Sequence, residues 1–509
     1  MTGSLPACVA RHRHERPHAV AFSDAGGGAI RLGYAAFLDR CAGFAAALRA
    51  RGMRPSERVA IVLPNRIEAA VAVYGCWMAG GIAVPLNAQA RARDLVPWLA
   101  HCGASHLVHE AGHADALVAL SALERAPHAW PIDPCRDGGG LVPAAPGADD
   151  GSPAADPHAD AMILYTSGTT AAPKGVVLTH ANLLANARAV VAYLALSADD
   201  AVLGTLPFHY AYGASVLHTH LLAGARIALA GEAMFPHLLM EAAARERVTG
   251  LSGVPATFSL LLDRLSPAGY DLSCLRYLTQ AGGPMSIALA ARVRAAFPQA
   301  RLYLMYGQTE ATSRLTWLPP ARLADKPGSV GVPVDGMELR IARADGGDAA
   351  PGEEGEIRVR GPGVMRGYWR APAATAEVLR DGWLCTGDIG RRDEEGFVFL
   401  SGRRSDMIKT GAHRVHPHDV EEVIAEVPGV AENAVVGVDD DALGQVVKAF
   451  VVCHAAPADP LPVSRAIKAH CRARLAPYKV PRHIEFVATL PRTASGKVRR
   501  ASLLETPAP

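Results

Sequence analysis

The sequence predicts an α/β protein with a large, multi-subdomain αβ sandwich as its N-terminal domain and a small, mobile α+β domain at the C-terminus. Three observations lead to this fold class. The chain has 509 residues, more than one hydrophobic core usually organises. Helical patterns alternate with short β-branched runs near the N-terminus, as in α/β proteins. Beyond residue 401 the units become shorter and mix strands with helices.

The order of these units sets the predicted domain boundaries. Residues 34–51 place alanine and leucine at helical spacing, and 58–63 form a buried strand. The run AMILYT at 161–166 predicts another strand, followed by GVVLTH and an amphipathic helix. After 401 we predict a helix over 420–427, strands over 434–438 and 447–452, and a helix over 463–475. The predicted domains are 1–400 and 406–509, with a hinge over 401–405.

Charge, cysteine content and apolar runs limit the class of protein. Lys and Arg total 51 against 49 Asp and Glu, so no electrostatic argument favours nucleic acid or an anionic membrane as a partner. The 9 cysteines contain no Cys-x-x-Cys pair, which favours reduced thiols in a cytoplasm. The longest uncharged stretch, Ala69 to Leu86, contains Gly80, Gly81 and Pro85, so we expect a buried helix followed by a strand and no integral membrane segment.

The stretch YTSGTTAAPKG at 165–175 has the composition of a phosphate-binding loop. Hydroxyl groups, a flexible glycine and a lysine follow one another in Thr166, Ser167, Gly168, Thr169, Thr170 and Lys174. It is not a Walker A loop, because Pro173 stands where the second glycine belongs and Gly175 follows the lysine. On its own, the stretch is equally compatible with a Ser/Thr/Gly-rich surface turn between two strands.

Further motifs follow this loop in a fixed order: YGQTE at 306–310, TGD at 386–388, GRRSDMIK at 402–409 and PRTASGK at 491–497. Together with the loop and the Pro-Asn-x-x-Glu stretch at 64–68, they resemble the adenylate-forming superfamily, which includes acyl-CoA synthetases, AMP-dependent synthetases and ligases, adenylation domains and beetle luciferases. The resemblance covers nearly the whole chain. It implies an acid–thiol ligase that forms an acyl-AMP from ATP and a carboxylic acid, releases pyrophosphate, and transfers the acyl group to coenzyme A.

The resemblance implies nucleotide-binding roles for several motifs. The loop over 166–175 would steady the β- and γ-phosphates of ATP. Asp388 would accept both ribose hydroxyls, because a carboxylate offers two acceptor oxygens, and Arg403 would support the same sugar. The other expected nucleotide contacts come from two segments: Gly282, Gly283 and Pro284, and Tyr306, Gly307 and Gln308.

Catalysis is expected to consist of positioning and charge neutralisation, because the attacking carboxylate is already an anion. By the same resemblance, Thr309 would approach the α-phosphate, and Glu310 with Thr170 would hold Mg²⁺, a cation that prefers oxygen ligands. Lys497 would reach from the small domain to bridge the carboxylate and the α-phosphate. His209 would lie beside the acid carboxylate as a gate.

For the second half-reaction, the resemblance implies that the small domain rotates about Ser405 and presents the loop from Lys409 to Arg414 to the pantetheine arm of CoA. Three positions depart from the family pattern: Ala171 and Ala412 replace glycine, and Ser405 replaces Asp or Lys. Ala412 and Ser405 lie where the acceptor docks. The alternative is therefore a stand-alone adenylating enzyme that loads a carrier-protein phosphopantetheine.

The segment FHYAYGASV at 208–216 indicates the kind of acid. It contains no aspartate to neutralise an α-ammonium, and burying an unpaired ammonium is costly. We therefore expect an apolar acid, fatty or aryl, and a place in fatty acid metabolism. A luciferase-type oxidoreductase is a further alternative that the motifs leave open. A homodimer is a possible assembly of this chain.

Overall fold

The computed structural model describes residues 3–25, 30–133, 156–166, 173–230, 235–403, 406–410, 413–440, 443–493 and 497–504. The helices are α1 (Leu5–Ala10), α2 (His12–Glu15), α3 (Tyr34–Ala50), α4 (Ile67–Met78), α5 (Ala92–Cys102), α6 (Ala114–Ala122), α7 (His180–Leu194), α8 (Ala211–Ala223), α9 (Pro236–Arg245), α10 (Pro255–Arg264), α11 (Ile287–Ala296), α12 (Pro372–Val378), α13 (Pro417–Ala425), α14 (Pro460–Arg474) and α15 (Arg500–Leu504).

The strands are β1 (Val20–Asp24), β2 (Arg31–Gly33), β3 (Arg58–Val62), β4 (Ile82–Pro85), β5 (His106–Glu110), β6 (His128–Ile132), β7 (Asp160–Thr166), β8 (Lys174–Thr179), β9 (Ala201–Leu203), β10 (Arg226–Leu229), β11 (Gly250–Gly253), β12 (Tyr277–Gln280), β13 (Arg301–Tyr306), β14 (Thr316–Leu318), β15 (Ser329–Pro333), β16 (Glu338–Ala342), β17 (Gly355–Arg360), β18 (Gly367–Tyr368), β19 (Leu379–Arg380), β20 (Trp383–Arg392), β21 (Val398–Arg403), β22 (Ile408–Thr410), β23 (His413–Val415), β24 (Val430–Asp440), β25 (Gly444–Cys453) and β26 (His483–Phe486).

Three sheets organise these elements within the described residues. A 7-stranded sheet has the order β18-β8-β7-β4-β3-β5-β6, and a 14-stranded sheet runs from β16 to β2 with β13, β12, β11, β9 and β10 at its centre. A 5-stranded sheet contains β22 to β26. The first two sheets carry parallel pairs such as β3–β4 and β11–β12, with helices between successive strands. The predicted α/β class, with a large sandwich and a C-terminal α+β unit, is confirmed.

The uncharged stretch from 69 to 86 forms helix α4 followed by strand β4, as predicted. Every residue of α4 is buried. The chain turns at Gly80, whose φ is +83°, a value that favours glycine. At Gly81 a Cβ atom would lie 2.0 Å from Cε of Met53 and 2.9 Å from Sγ of Cys76, so a larger residue here would require these side chains to shift. Within the part of the chain that the structure describes, no helix is long and apolar enough to cross a membrane.

The C-terminal elements are longer than the sequence patterns predict. Helix α13 begins at Pro417, three residues before the predicted start, because proline is well tolerated in the first turn of a helix. Strands β24 and β25 extend beyond the predicted apolar cores because polar residues at their ends also join the ladder. Strand β21 includes residues 401–403 of the predicted hinge. Ser405 lies outside the described residues, and the boundaries at 400 and 406 remain predictions.

Candidate active site

The predicted phosphate loop connects two antiparallel strands. Thr166 at the end of β7 pairs with Lys174 at the start of β8, so the expected strand-to-strand placement is confirmed. Ser167, Gly168, Thr169, Thr170 and Ala171 lie outside the described residues. The ammonium of Lys174 is 5.7 Å from the ring centroid of Tyr368, which belongs to the strand added beside β8. The ammonium of Lys174 therefore lies near β18.

The YGQTE segment forms a tight turn at the carboxyl end of β13. A Cβ atom on Gly307 would lie 1.8 Å from the carbonyl oxygen of Ser313, so the close approach of the two backbones requires glycine. The chain then passes through a 3₁₀ turn over Thr309–Ala311. Thr312 has a φ of 65°, a strained value for a β-branched residue, and strain of this kind concentrates at functional sites.

Parallel strands bring the other nucleotide-site candidates to the same edge. Strands β11, β12 and β13 run parallel, so the segments that follow Gly253, Gln280 and Tyr306 lie side by side. Gly282 has a φ of +87°, and the side chain of Gln280 donates a hydrogen bond of 2.7 Å to the carbonyl of Gly283. Pro284 follows in the same segment. Ligands of open α/β sheets bind in crevices at the carboxyl ends of strands.

Asp388 joins two of the predicted residues. The hydroxyl of Tyr306 donates a 2.6 Å hydrogen bond to one carboxylate oxygen, and Nε of Arg403 lies 3.1 Å from the other. Asp388 and Arg403 face each other in the β20–β21 pair, so the ladder register fixes this contact. Burial raises the pKa of Asp388, and the guanidinium of Arg403 opposes that rise. Burial and the Asp388 charge raise the pKa of Tyr306, which keeps it a neutral donor.

Glu310 is oriented by a residue that the sequence did not reveal. The hydroxyl of Tyr368 donates a 2.9 Å hydrogen bond to Oε1 of Glu310. The backbone carbonyl of Glu310 accepts a 2.8 Å bond from the amide of Met365. Gln308 precedes this turn in an extended conformation. The carboxylate of Glu310 is thus held next to the strand that also approaches Lys174.

Lys497 reaches this edge from near the C-terminus. Its amide donates a 3.2 Å bond to the hydroxyl of Thr493, and the bridge between Arg492 and Val498 closes the turn that presents it. Surrounding protein and the charge of Arg403 lower the pKa of Lys497, while Asp388 and Glu310 raise it. The charges of both carboxylates therefore act on the ammonium of Lys497, and the residue is exposed to solvent. The structure therefore brings Lys497 together with Asp388, Arg403 and Glu310.

His209 lies on a loop whose backbone is hydrogen-bonded to Asn65, a residue from a distant part of the chain. The amide nitrogen of Asn65 donates to the carbonyl oxygens of Gly204 at 3.2 Å and Leu206 at 2.7 Å. Its amide oxygen accepts a 2.9 Å bond from the backbone of Phe208. Burial lowers the pKa of His209 to about 4, so the imidazole is neutral near pH 7. A neutral ring supplies no charge, and the role of His209 as a gate stays a prediction.

Helix α8 starts directly after this loop. A Cβ atom on Gly213 would lie 2.1 Å from the carbonyl oxygen of Pro207, so the helix can approach the loop only because this residue is glycine. The rings of His209 and Tyr210 have centroids 4.1 Å apart. Helix α8 contains no Asp, Glu, Lys or Arg. A helix without Asp, Glu, Lys or Arg beside a neutral imidazole is compatible with an uncharged acyl chain or ring.

The predicted acceptor loop lies in the C-terminal sheet. Lys409 pairs with Arg414 across the β22–β23 hairpin, and the amide of Lys409 donates a 3.1 Å bond to the side chain of Gln445. Lys409 is exposed. Ala412 lies outside the described residues. The charge of Asp388 acts on Lys497 in this arrangement, and the roles of Lys409, Arg414 and Lys497 in the two half-reactions stay predictions.

Sequence reasoning missed Tyr368 and did not assign a contact to Asn65. Tyr368 lies in the stretch RGYWR, where an aromatic residue between arginines resembles an ordinary surface turn. Its partner, Glu310, is 58 positions away in the chain. Asn65 belongs to a stretch that the resemblance includes, but its partners are more than a hundred residues distant. No local pattern signals either contact.

Comparisons with known proteins agree with this geometry. A family model for "AMP-binding enzyme" matches residues 9–369, and one for "AMP-binding enzyme C-terminal domain" matches 419–497. Feruloyl-CoA synthase from Amycolatopsis sp is 38% identical over 98% of both chains. A long-chain-fatty-acid CoA ligase from Bacillus subtilis (strain 168) is 34% identical, covering 91% of this chain and 87% of the relative.

Solved structures with the same architecture include enzymes with bound nucleotides. ATP-bound MatB from Rhodopseudomonas palustris has a TM-score of 0.89 and 30% identity over 99% of both chains. The o-succinylbenzoate CoA synthetase MenE from Bacillus subtilis, in complex with the acyl-adenylate intermediate OSB-AMP, has a TM-score of 0.83 and 28% identity over 97% of both chains. The predicted superfamily and the predicted class of enzyme, an acid–thiol ligase, are confirmed. The chain belongs to the family of AMP-binding enzymes.

Proposed function

We propose that this protein activates an apolar carboxylic acid, fatty or aryl, with ATP and transfers the acyl group to coenzyme A. The observation that carries the proposal is the convergence of Glu310 and the Asp388–Arg403 pair beside the turn over 306–310, with the charges of both carboxylates acting on Lys497. Its relatives by sequence include ligases named for an aryl acid and for long-chain fatty acids.

In the first half-reaction, a carboxylate oxygen of the acid bonds to the α-phosphorus of ATP, and the bond from that phosphorus to the bridging oxygen of pyrophosphate breaks. No proton transfer is required, since the nucleophile and the leaving group are both anions. We assign the bridging role to Lys497, whose ammonium neutralises charge that builds on the α-phosphate. Thr309 donates its hydroxyl to the same phosphate from the 3₁₀ turn.

The ribose is assigned to Asp388. Each carboxylate oxygen has a second lone pair after accepting from Tyr306 or Arg403, so two sugar hydroxyls can donate to the same group. Burial makes these hydrogen bonds stronger than they would be in water. The ring of Tyr306 would border the adenine, and the Gly282–Gly283 segment would form the opposite side of the cleft.

Glu310 fits a role as magnesium ligand. Its carboxylate supplies the hard oxygen that Mg²⁺ prefers, and the hydrogen bond from Tyr368 fixes its orientation, as outer partners of metal ligands commonly do. Thr170 is the second proposed ligand. When bound, the ion would neutralise phosphate charge, and Lys174 would add to that effect from β8.

For the second half-reaction we propose that the hairpin from Lys409 to Arg414 replaces Lys497 at the cleft. The pantetheine thiol loses its proton to solvent, its sulfur bonds to the acyl carbon, and the bond from that carbon to the phosphate oxygen breaks and releases AMP. Coenzyme A is favoured over a carrier-protein phosphopantetheine, because the sequence relatives are CoA synthetases and ligases by name.

We also infer a cytoplasmic location, because the described cysteines are all free thiols. We propose a homodimer as the assembly, and light scattering, which measures the molar mass in solution, would test it.

The decisive experiment measures pyrophosphate exchange and thioester formation on a panel of fatty and aryl acids. Lys497→Ala should reduce acid-dependent exchange at least about a thousandfold, while thioester formation from supplied acyl-AMP persists. Arg499→Ala, which removes an exposed cation two residues away, is the matched control and should behave as wild type. Equal loss of both half-reactions in Lys497→Ala would contradict the assigned role. Absence of exchange with every acid would contradict the function.

A further inference from the structure

A small cavity lies beside the candidate site, between helices α7 and α8. Its volume is about 10 Å³, enough for one water-sized oxygen. Its walls include apolar side chains of α7, β7 and β8. The remaining lining residues are Asn186, Ala211, Ala214, Ser215, His218 and Thr312. Because Ala211 follows His209 by two positions and Thr312 follows Glu310 by two, the cavity borders both segments assigned to the reaction.

Three of the lining side chains each carry a polar atom that has no hydrogen-bond partner in the described part of the protein. These atoms are Oδ1 of Asn186, Oγ of Ser215 and Nε2 of His218. The three residues are 3%, 6% and 2% exposed, so bulk water does not reach them. Buried polar groups in proteins are nearly always paired, and leaving one unpaired is costly. Unpaired atoms on the walls of a single cavity indicate a shared partner inside it.

The neighbouring hydrogen bonds define what this partner must do. The amide nitrogen of Asn186 donates a 2.8 Å bond to the carbonyl of Arg314, which fixes Oδ1 as the remaining acceptor. Burial lowers the pKa of His218 to about 3, so the ring is neutral. Its Nδ1 lies 3.3 Å from the hydroxyl of Tyr74. We assign that hydroxyl as the donor, which places the ring proton on Nε2.

We propose that this cavity is a binding site for one hydroxyl-type oxygen, which accepts a hydrogen bond from His218 and donates one to Asn186, with Ser215 as a third partner. A hydroxyl oxygen is the simplest group that both donates and accepts at one point. It has two possible sources: an ordered water, or a hydroxyl at the far end of the acid. The second source rests on the proposed function, and the first does not.

The first test is independent of catalysis. Crystal structures of the full chain, alone and with the 4-hydroxy derivative of 3-phenylpropenoic acid, should show an oxygen within hydrogen-bond distance of Asn186, Ser215 and His218 in at least one of the two. Ser215→Ala should then lower Tm by roughly 1–2 °C, because a bound oxygen loses a partner. Thr219→Val is the matched control: it removes a buried hydroxyl of α8 that bonds to the carbonyl of Val216 and contacts Nδ1 of His220 but does not line the cavity. Its Tm therefore reports the loss of an ordinary buried hydrogen bond, and its crystal structure should keep the oxygen.

The second test identifies the source of the oxygen. Exchange is measured with 3-phenylpropenoic acid and with its 4-hydroxy derivative. If the acid supplies the oxygen, wild type should favour the hydroxylated acid at least about tenfold in kcat/KM, Ser215→Ala should bring the ratio within about threefold, and Thr219→Val should keep it. If water supplies it, the ratio is the same in all three proteins and the crystal shows the water.

A cavity that holds no oxygen would overturn the proposal. A dry cavity predicts no oxygen density, an unchanged ratio, and a higher Tm for Ser215→Ala, because removing an unpaired buried hydroxyl relieves its desolvation cost. That combination would refute the site. Failure to activate any acid would refute the proposed function instead, and the crystal structure with the Tm comparison would still decide the cavity.

Discussion

Asn65 offers a quantitative test of how the acid-site loop is held. Its side chain makes three hydrogen bonds to backbone groups of residues 204, 206 and 208, immediately before His209. At about 0.5–1.5 kcal/mol net for each bond, losing all of them costs about 1.5–4.5 kcal/mol. The loop is half-buried, so water recovers part of this. If this cost appears in full as lost transition-state stabilisation, Asn65→Ala should lose about 1.5–3 kcal/mol of it. We therefore expect kcat/KM for the acid to fall roughly 10- to 150-fold.

Asn65→Asp sharpens this prediction because it keeps the size of the side chain. It retains an acceptor for the amide of Phe208 but places a carboxylate against the carbonyls of Gly204 and Leu206, so we expect it to be less active than Asn65→Ala. Asn87→Ala is the control, since the side chain of Asn87 accepts a hydrogen bond from the nearby backbone amide of Gln89 and is distant in the chain from the acid-site loop. The assay is acid-dependent pyrophosphate exchange. Activity of Asn65→Ala within about twofold of wild type, or of Asn65→Asp equal to wild type, would refute the reasoning.

Further predictions concern the turn, the proposed magnesium ligand and a pH-dependent contact. Gly307→Ala should cost about 3 kcal/mol or more in the free energy of unfolding, measured in urea, because its Cβ would overlap a backbone carbonyl. Tyr368→Phe should raise the Mg²⁺ concentration needed for half-maximal exchange about tenfold, since Glu310 loses its orienting bond; an unchanged requirement would exclude this role. The Glu354 pKa falls from 4.5 to about 2, chiefly because of His416, so its contribution to stability is present above pH 4.5 and lost as the pH falls through 2. The difference between wild type and Glu354→Gln in urea should be below about 1 kcal/mol at pH 6 and vanish over that window; a constant difference would contradict the assignment.

The sequence determined the fold class, the family and the identity of most candidate residues. Helix and strand periodicities depend on local spacing, so elements such as α3 and β3 could be predicted to within a residue or two at their ends. Motifs are also local: the glycine, hydroxyl and carboxylate types required near Tyr306 and Asp388 are visible in short stretches. Their order along the chain was enough to indicate an adenylate-forming enzyme.

Only the tertiary structure decided which of these residues meet. Asp388 could be identified from its motif, but its bond to Tyr306 spans 82 positions and arises where two parts of a 14-stranded sheet adjoin. Tyr368 approaches Glu310 because β18 adds to the edge of β8, a pairing that no short pattern encodes. The unpaired atoms around the cavity depend on side-chain packing between α7 and α8. Hydrogen bonds act over about 3 Å, so they are set by how distant segments pack and not by their spacing in the chain.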